Sequence, residues 1–140
     1  MADLSIGQLA ARTGVAASAL RYYEELGLIA APERVGGRRC YPESLVELVG
    51  RILVLRDAGF SLRETGRLLE LRAPSDVRWR RLVEGKVAEL EERIARAHEA
   101  REALLHGLRC PHEDMAGCER LAGVVGARLA GESLGRAHVH

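Results

Sequence analysis

The sequence has few aromatic residues, few cysteines and no long apolar run. Aromatic side chains make up only 4% of its 140 residues while 47% are hydrophobic, a balance that favours helices over sheets. No apolar stretch approaches the roughly 20 residues that a membrane-spanning helix needs, and the first residues lack the pattern of a signal peptide. We therefore expect a cytoplasmic protein with no membrane contact. Three cysteines in a reducing compartment do not predict a disulfide framework, which leaves buried, free or metal-binding thiols.

An excess of positive charge is also missing. The 21 Lys and Arg residues face 20 Asp and Glu residues, which gives a formal net charge of +1. Any binding to nucleic acid must therefore rest on local clusters such as Arg34, Arg38 and Arg39. No nucleophile–base pair or phosphate-binding loop is present, so we do not expect an enzyme.

Two short helices around a tight turn are predicted at the start of the chain. Ser5 can cap the first helix with a glutamine three residues later, and Gly14 can end it. The second helix ends in a cluster of side chains whose donors can each meet a phosphate oxygen, namely Arg21, Tyr22 and Tyr23. An ordinary surface helix with two half-buried tyrosines is the alternative interpretation.

A glycine-rich, then basic, then aromatic segment follows at residues 35–41. It predicts a short hairpin wing that carries Arg38 and Arg39. Apolar periodicity then predicts a helix over residues 43–58, and Ser61 with its capping partner Glu64 predicts another that runs to about residue 71.

A long helix over about residues 76–108 is predicted after a proline-containing break at residues 73–75. Its seam residues recur at alternating spacings of four and three, which is a heptad pattern. A helix of this length cannot bury such a seam on its own small domain, so the pattern predicts a partner helix, most simply from a second copy of the chain. The seam consists of Val83, Val87, Leu90, Ile94, Ala97, Arg101, Leu104 and Leu108.

Two cysteines flank a short loop at the end of this helix. Seven residues separate Cys110 from Cys118, so the loop can bring the two sulfurs together. Two thiolates suit a soft monovalent ion, Cu(I), Ag(I) or Au(I). Zn(II) would want about four ligands, and His112, Asp114 or residues of a partner chain would have to supply the others. Vestigial or structural cysteines are the alternative. A short helix over residues 121–129 is predicted after the loop.

These segments together resemble the MerR family of bacterial transcription regulators over residues 4 to about 110. The resemblance is carried by the motifs LRYYEELGLI, GGRRCY and LRDAGFSLRETGRLL. It implies a mainly α fold: a winged helix-turn-helix DNA-binding domain in residues 1–74 and an antiparallel coiled-coil dimerisation helix in 75–109. An effector loop with a short helix is predicted to follow in 110–130, and the Gly-rich, polar composition of residues 131–140 predicts a flexible tail. The implied DNA-binding residues are Ala16, Ala17, Ser18, Arg21, Tyr22, Tyr23, Arg38, Arg39 and Tyr41.

The cysteine loop resembles the metal-binding loop of the copper-responsive branch of this family. Relatives that sense divalent ions usually carry a further cysteine near the start of the long helix, where this chain has Ser75 and Asp76. The resemblance implies a homodimer that remodels an over-long promoter spacer for RNA polymerase when Cys110 and Cys118 bind Cu(I) or a similar ion. His112 is a candidate third ligand.

Two alternatives to this metal-responsive regulator stay open. The first is a regulator of the same build that answers to a drug, a redox signal or another small molecule. The second, more remote, is a metal-trafficking dimer that does not bind DNA.

Overall fold

The computed structural model describes residues 3–111 and 113–134 and is mainly helical. Among the helices of these two ranges, none has both the length and the apolar composition of a membrane-spanning segment. The chain forms two compact units, Met1–Val83 and Glu84–His140. Its described elements, in chain order, are α1 (Ile6–Thr13), α2 (Ala17–Glu25), β1 (Glu33–Val35), β2 (Arg38–Cys40), α3 (Ser44–Asp57), α4 (Leu62–Leu71), α5 (Val77–Arg109), a 3₁₀ turn (Met115–Gly117) and α6 (Glu119–Leu129).

Both predicted capping boxes are confirmed. The Ser5 hydroxyl accepts a hydrogen bond from the Gln8 amide at 3.1 Å, and the Gln8 side chain accepts one from the Ser5 amide at 2.9 Å. Ser61 and Glu64 repeat this exchange at the start of α4. Each box satisfies two amide groups that the helix itself leaves unpaired, and this fixes where the helix begins.

The core of the N-terminal unit lies between α1, α2 and α3. Its centre is a set of fully buried side chains, and each contributes about 1.5–3 kcal/mol relative to exposure in water. Tyr41 joins them, because its backbone exchanges two hydrogen bonds with Leu4, at 2.7 and 2.8 Å. The chain after β2 is thereby fixed against the helices. The buried aliphatic residues at the centre are Leu9, Leu20, Ile29, Val49 and Ile52.

The predicted wing is confirmed as an antiparallel hairpin of β1 and β2. Val35 pairs with Arg38, and Arg34 pairs with Arg39. The two-residue loop between the strands requires positive φ at both positions, and Gly36 (59°) and Gly37 (79°) adopt it without the steric cost of a Cβ atom.

Helix α5 begins after the predicted break and ends one residue beyond the predicted end. Asp76 caps it, since its carboxylate accepts from the Arg78 amide at 2.8 Å and its carbonyl accepts from the Arg80 amide. Lys86, the single lysine of the chain, is buried and pairs with Glu89 at 2.7 Å. Most seam residues are exposed in the single chain, as Ile94 (67%) and Leu104 (73%) illustrate.

Candidate nucleic-acid interface and thiol loop

The start of α2 presents the residues for which the family resemblance implies base contacts. Ala16 is the N-cap of the helix, and both Ala16 and Ser18 are exposed. Leu20 is fully buried one turn later and anchors the opposite face of the helix in the core. Small side chains at this end allow the helix to approach a base edge closely.

The two adjacent tyrosines of α2 have different surroundings. Tyr22 is 49% exposed and lies beside the exposed Arg21, whereas Tyr23 is 9% exposed and belongs to the core. Tyr41 is fully buried. Tyr23 and Tyr41 therefore have almost no surface with which to meet DNA, and they instead pack α2 and the end of the wing into the core.

A polar network joins the end of α2 to the wing. The Tyr41 hydroxyl donates to Glu24 Oε2 at 3.2 Å, and Arg39 Nη1 lies 3.5 Å from the same oxygen. Burial raises the pKa of Tyr41 and the charge of Glu24 acts in the same direction, while Arg39 acts against both. Sequence reasoning missed Glu24, because no local pattern relates a residue of α2 to residues 15 and 17 positions later.

Tyr22 also lines a groove between the end of α2 and α4. The groove has a volume of about 500 Å³, and two arginines of α4, Arg63 and Arg67, are among its lining residues. Arg56, in the last turn of α3, donates to the Phe60 carbonyl at 2.8 Å and helps to close the turn before α4. Exposed arginines therefore lie on α2, on α4 and in the wing, among other elements of this unit.

The thiol loop brings its two cysteines together. Cys110 Sγ and Cys118 Sγ lie 3.9 Å apart, Cys118 is 7% exposed and Cys110 is half-buried. The Leu121 amide at the start of α6 is the main cause that lowers the pKa of Cys118, burial opposes it, and Cys110 and Arg120 lower it further. A lower thiol pKa favours the thiolate, the form that binds a metal ion.

A cavity of about 560 Å³ adjoins the two sulfurs. Its wall is mostly aliphatic and comes from the end of α5 and from α6. Among its lining residues are Leu104, Leu108, Leu121 and Val124. An apolar wall limits access of water to the thiols and offers space to a small apolar molecule.

The donor set at the loop consists of two sulfurs in the described residues. No group of three or more His, Cys, Asp or Glu side chains in residues 3–111 and 113–134 could hold a metal ion. Asp114, considered as a zinc ligand, accepts instead from the Ala116 amide at 2.9 Å and shapes the 3₁₀ turn. His112, the candidate third ligand, lies outside the described residues, as do residues 135–140 of the predicted flexible tail.

Two family models, both of the same protein family, match the sequence. Residues 4–71 match "MerR HTH family regulatory protein" and residues 46–107 match "MerR, DNA binding". The HTH-type transcriptional regulator CueR of Escherichia coli O6:H1 is 36% identical over 130 residues, which cover 86% of this chain and 95% of that protein.

Solved structures with the same fold include two regulators captured with a ligand. PbrR691 from Ralstonia metallidurans CH34, in complex with lead(II), aligns with a TM-score of 0.62 at 24% identity over 82% of this chain and 94% of that one. HiNmlR, bound to promoter DNA, aligns with a TM-score of 0.57 at 19% identity over 94% and 98%. These likenesses show the fold alone, and the sequence relatives show the family. The chain belongs to the MerR family of helix-turn-helix transcriptional regulators, which are DNA-binding proteins and not enzymes.

Proposed function

We propose that this chain is a homodimeric regulator that remodels promoter DNA when the loop between Cys110 and Cys118 binds a soft monovalent metal ion. The observation that carries the effector part is the 3.9 Å separation of the two sulfurs, beside a mostly aliphatic cavity. Cys110 and Cys118 would hold such an ion through their two thiolates.

The number of ligands supports Cu(I), Ag(I) or Au(I) over Zn(II). Two thiolates complete the coordination that these soft monovalent ions accept, whereas Zn(II) requires about four ligands. In the described residues only the two cysteines converge at the loop. Cys118 has the lowered thiol pKa, so it gives up its proton more readily than an ordinary cysteine when an ion arrives.

The DNA part of the proposal rests on exposed residues of α2 and the wing. Ala16, Ala17 and Ser18 would approach bases, and Arg21, Tyr22 and Arg38 would meet phosphates. In the mechanism that the family implies, the dimer sits on an over-long spacer between two promoter elements. Effector binding favours a dimer geometry that bends and untwists the DNA, so that both elements face RNA polymerase.

A titration of the reduced protein with Cu(I) and, separately, with Zn(II) tests the effector. Each titration uses a competing chelator of known affinity under anaerobic conditions. We expect Cys110→Ser and Cys118→Ser each to weaken Cu(I) binding by at least roughly 100-fold, because loss of one of two ligands leaves a single thiolate. Cys40→Ser is the matched control, since Cys40 lies in the wing and should leave the Cu(I) affinity unchanged.

Two results would overturn the metal assignment. One is Cu(I) binding by both loop variants as tight as that of the parent protein. The other is Zn(II) binding by the parent that exceeds its Cu(I) binding relative to the same chelators.

A regulator that answers to a small apolar molecule is the second candidate function. The observation that favours it is the cavity of about 560 Å³, a volume typical of ligand pockets. Leu121→Trp would fill this cavity without removing a sulfur. Loss of the transcriptional response in Leu121→Trp, with Cu(I) affinity retained, would favour the small molecule over the ion.

A further inference from the structure

We propose that Glu24 is a positioning residue of the DNA interface, which holds Arg39 to α2 and so leaves Arg38 as the arginine of β2 that meets the DNA backbone. The proposal deepens the proposed function, because it rests on contact between the wing and DNA. It gives different roles to Arg38 and Arg39, the two neighbouring arginines of β2, which the sequence analysis grouped together as DNA-binding residues.

The carboxylate of Glu24 connects α2 to the wing. Its side chain is 17% exposed, and one of its oxygens is 3.2 Å from the Tyr41 hydroxyl and 3.5 Å from Arg39 Nη1. Tyr41 is fully buried and is tied through its backbone to Leu4. The carboxylate thus faces one fixed donor and one arginine, and both lie at the end of the wing hairpin that is nearer the core.

Strand geometry places the two arginines on opposite faces of the hairpin. Successive side chains of a strand point to opposite faces, so Arg39 shares its face with its cross-strand partner Arg34, and Arg38 shares the other face with Val35. Arg38 is exposed and makes no ion pair with any residue in the described part of the chain.

Charge balance gives Glu24 a second consequence. Arg34 and Arg39 are like charges directly opposite each other in an antiparallel pair, which destabilises a hairpin. The Glu24 carboxylate offsets the charge of Arg39 and also accepts a hydrogen bond from the buried Tyr41. The pair is therefore close to neutral towards DNA, and Arg38 supplies the positive charge on the opposite face of the hairpin.

The salt dependence of DNA binding tests directly which of the two arginines contacts phosphate. Each phosphate contact made by a cation contributes a slope of about −0.9 to the plot of log K against log salt concentration. A dimer has two wings, so loss of one contact per wing should flatten the slope by about 1.8. The duplex used is one selected by the parent protein from a random-sequence pool.

Four variants separate the possibilities. We expect Arg38→Ala to flatten the slope by about 1.8 and Arg39→Ala to leave it unchanged. Glu24→Gln keeps an acceptor for Tyr41 but releases Arg39, so the slope should steepen by up to about 1.8. The double variant Glu24→Gln with Arg39→Ala should return to the parent slope, which a merely structural role of Glu24 would not produce.

Glu47→Gln is the matched control. It breaks an Arg–Glu pair of the same kind on α3, where Glu47 lies 2.7 Å from Arg51, and it changes the net charge equally. Its slope should equal that of the parent.

The assignment fails if Arg39→Ala flattens the slope as much as Arg38→Ala, or if Glu24→Gln leaves the slope of a folded protein unchanged. The Arg39→Ala result decides the matter if Glu24→Gln does not fold. A parent-like slope for both arginine variants would instead overturn contact between the wing and DNA.

Discussion

At the scale of single residues, the N-terminal unit buries the hydroxyl group of Thr65 at a cost in stability. The residue lies in α4 with no exposed surface, and its hydroxyl oxygen has no hydrogen-bond partner among the residues that the structure describes. A buried hydroxyl that has given up water without a new partner costs about 1–3 kcal/mol. The surrounding aliphatic side chains must offset that cost.

Thr65→Val should therefore stabilise the protein. The substitution replaces the unpaired hydroxyl by a methyl group in nearly the same space, and we expect the free energy of unfolding to rise by about 1 kcal/mol. Urea denaturation at fixed protein concentration measures it. Thr65→Ser is the control, because it keeps the hydroxyl, removes the methyl group and should destabilise by a similar amount. A less stable Thr65→Val would mean that the hydroxyl has a partner.

At the scale of elements, the start of α5 depends on a short-range charged cap. The carboxylate of Asp76 accepts from the Arg78 amide and, at 3.1 and 2.9 Å, from the Arg78 guanidinium. The Arg78 side chain is the main cause that lowers the pKa of Asp76 from 3.8 to about 2. The Asp76 cap thus connects the first turn of α5 to the turn that follows the proline-containing break.

The effect of Asp76 on stability should depend on pH in one direction. Its folded-state pKa is depressed, so the stability that it contributes is present above pH 3.8 and is lost as pH falls through about 2. Asp76→Asn keeps a capping side chain but loses the charge. We expect its Tm to lie below that of the parent at pH 7 and low ionic strength, and the difference to vanish near pH 2.

Asp76→Ala serves as the comparison, because it removes the cap as well and should have the lower Tm at both pH values. A difference between Asp76→Asn and the parent that stays constant from pH 7 down to pH 2 would contradict the ion-pair origin of the shift.

Elements were predictable from the sequence where local signals fix them. The capping residues Ser5 and Ser61 set the starts of α1 and α4, and the glycine pair of the wing set its turn. Helix α6 begins at Glu119, two residues before the predicted start, because Cys118 itself takes the N-cap position.

Contacts between distant residues were not predictable in the same way. Tyr41 was expected at the DNA surface, yet it is fully buried, since its backbone pairs with Leu4 and its hydroxyl with Glu24. Spacing of seven residues allowed the two loop sulfurs to meet but did not determine their separation of 3.9 Å.

At the scale of the whole molecule, the exposed seam of α5 implies a partner. Ile94, Leu104 and Leu108 are 67%, 73% and 84% exposed in the single chain, and they recur at the heptad spacing of a coiled coil. Apolar side chains in such a row are costly in water, and a second copy of the helix would bury them.

Ile94→Glu should dissociate this dimer. It places a charge without a partner in the seam, and we expect dimerisation to weaken by at least roughly 100-fold. Sedimentation velocity across micromolar concentrations measures the change. Ala95→Glu is the control, because it adds the same carboxylate one position away, off the seam, and should leave the protein dimeric. A parent protein that sediments only as a monomer would remove the basis of the proposal.

Arginine supplies nearly all of the positive charge of this protein, since Lys86 is its single lysine and is buried against Glu89. A guanidinium group stays protonated well above pH 10. The cations of α2, α4 and the wing are all of this kind. Lysine acetylation, which commonly weakens the binding of proteins to nucleic acid, has no target on α2, α4 or the wing.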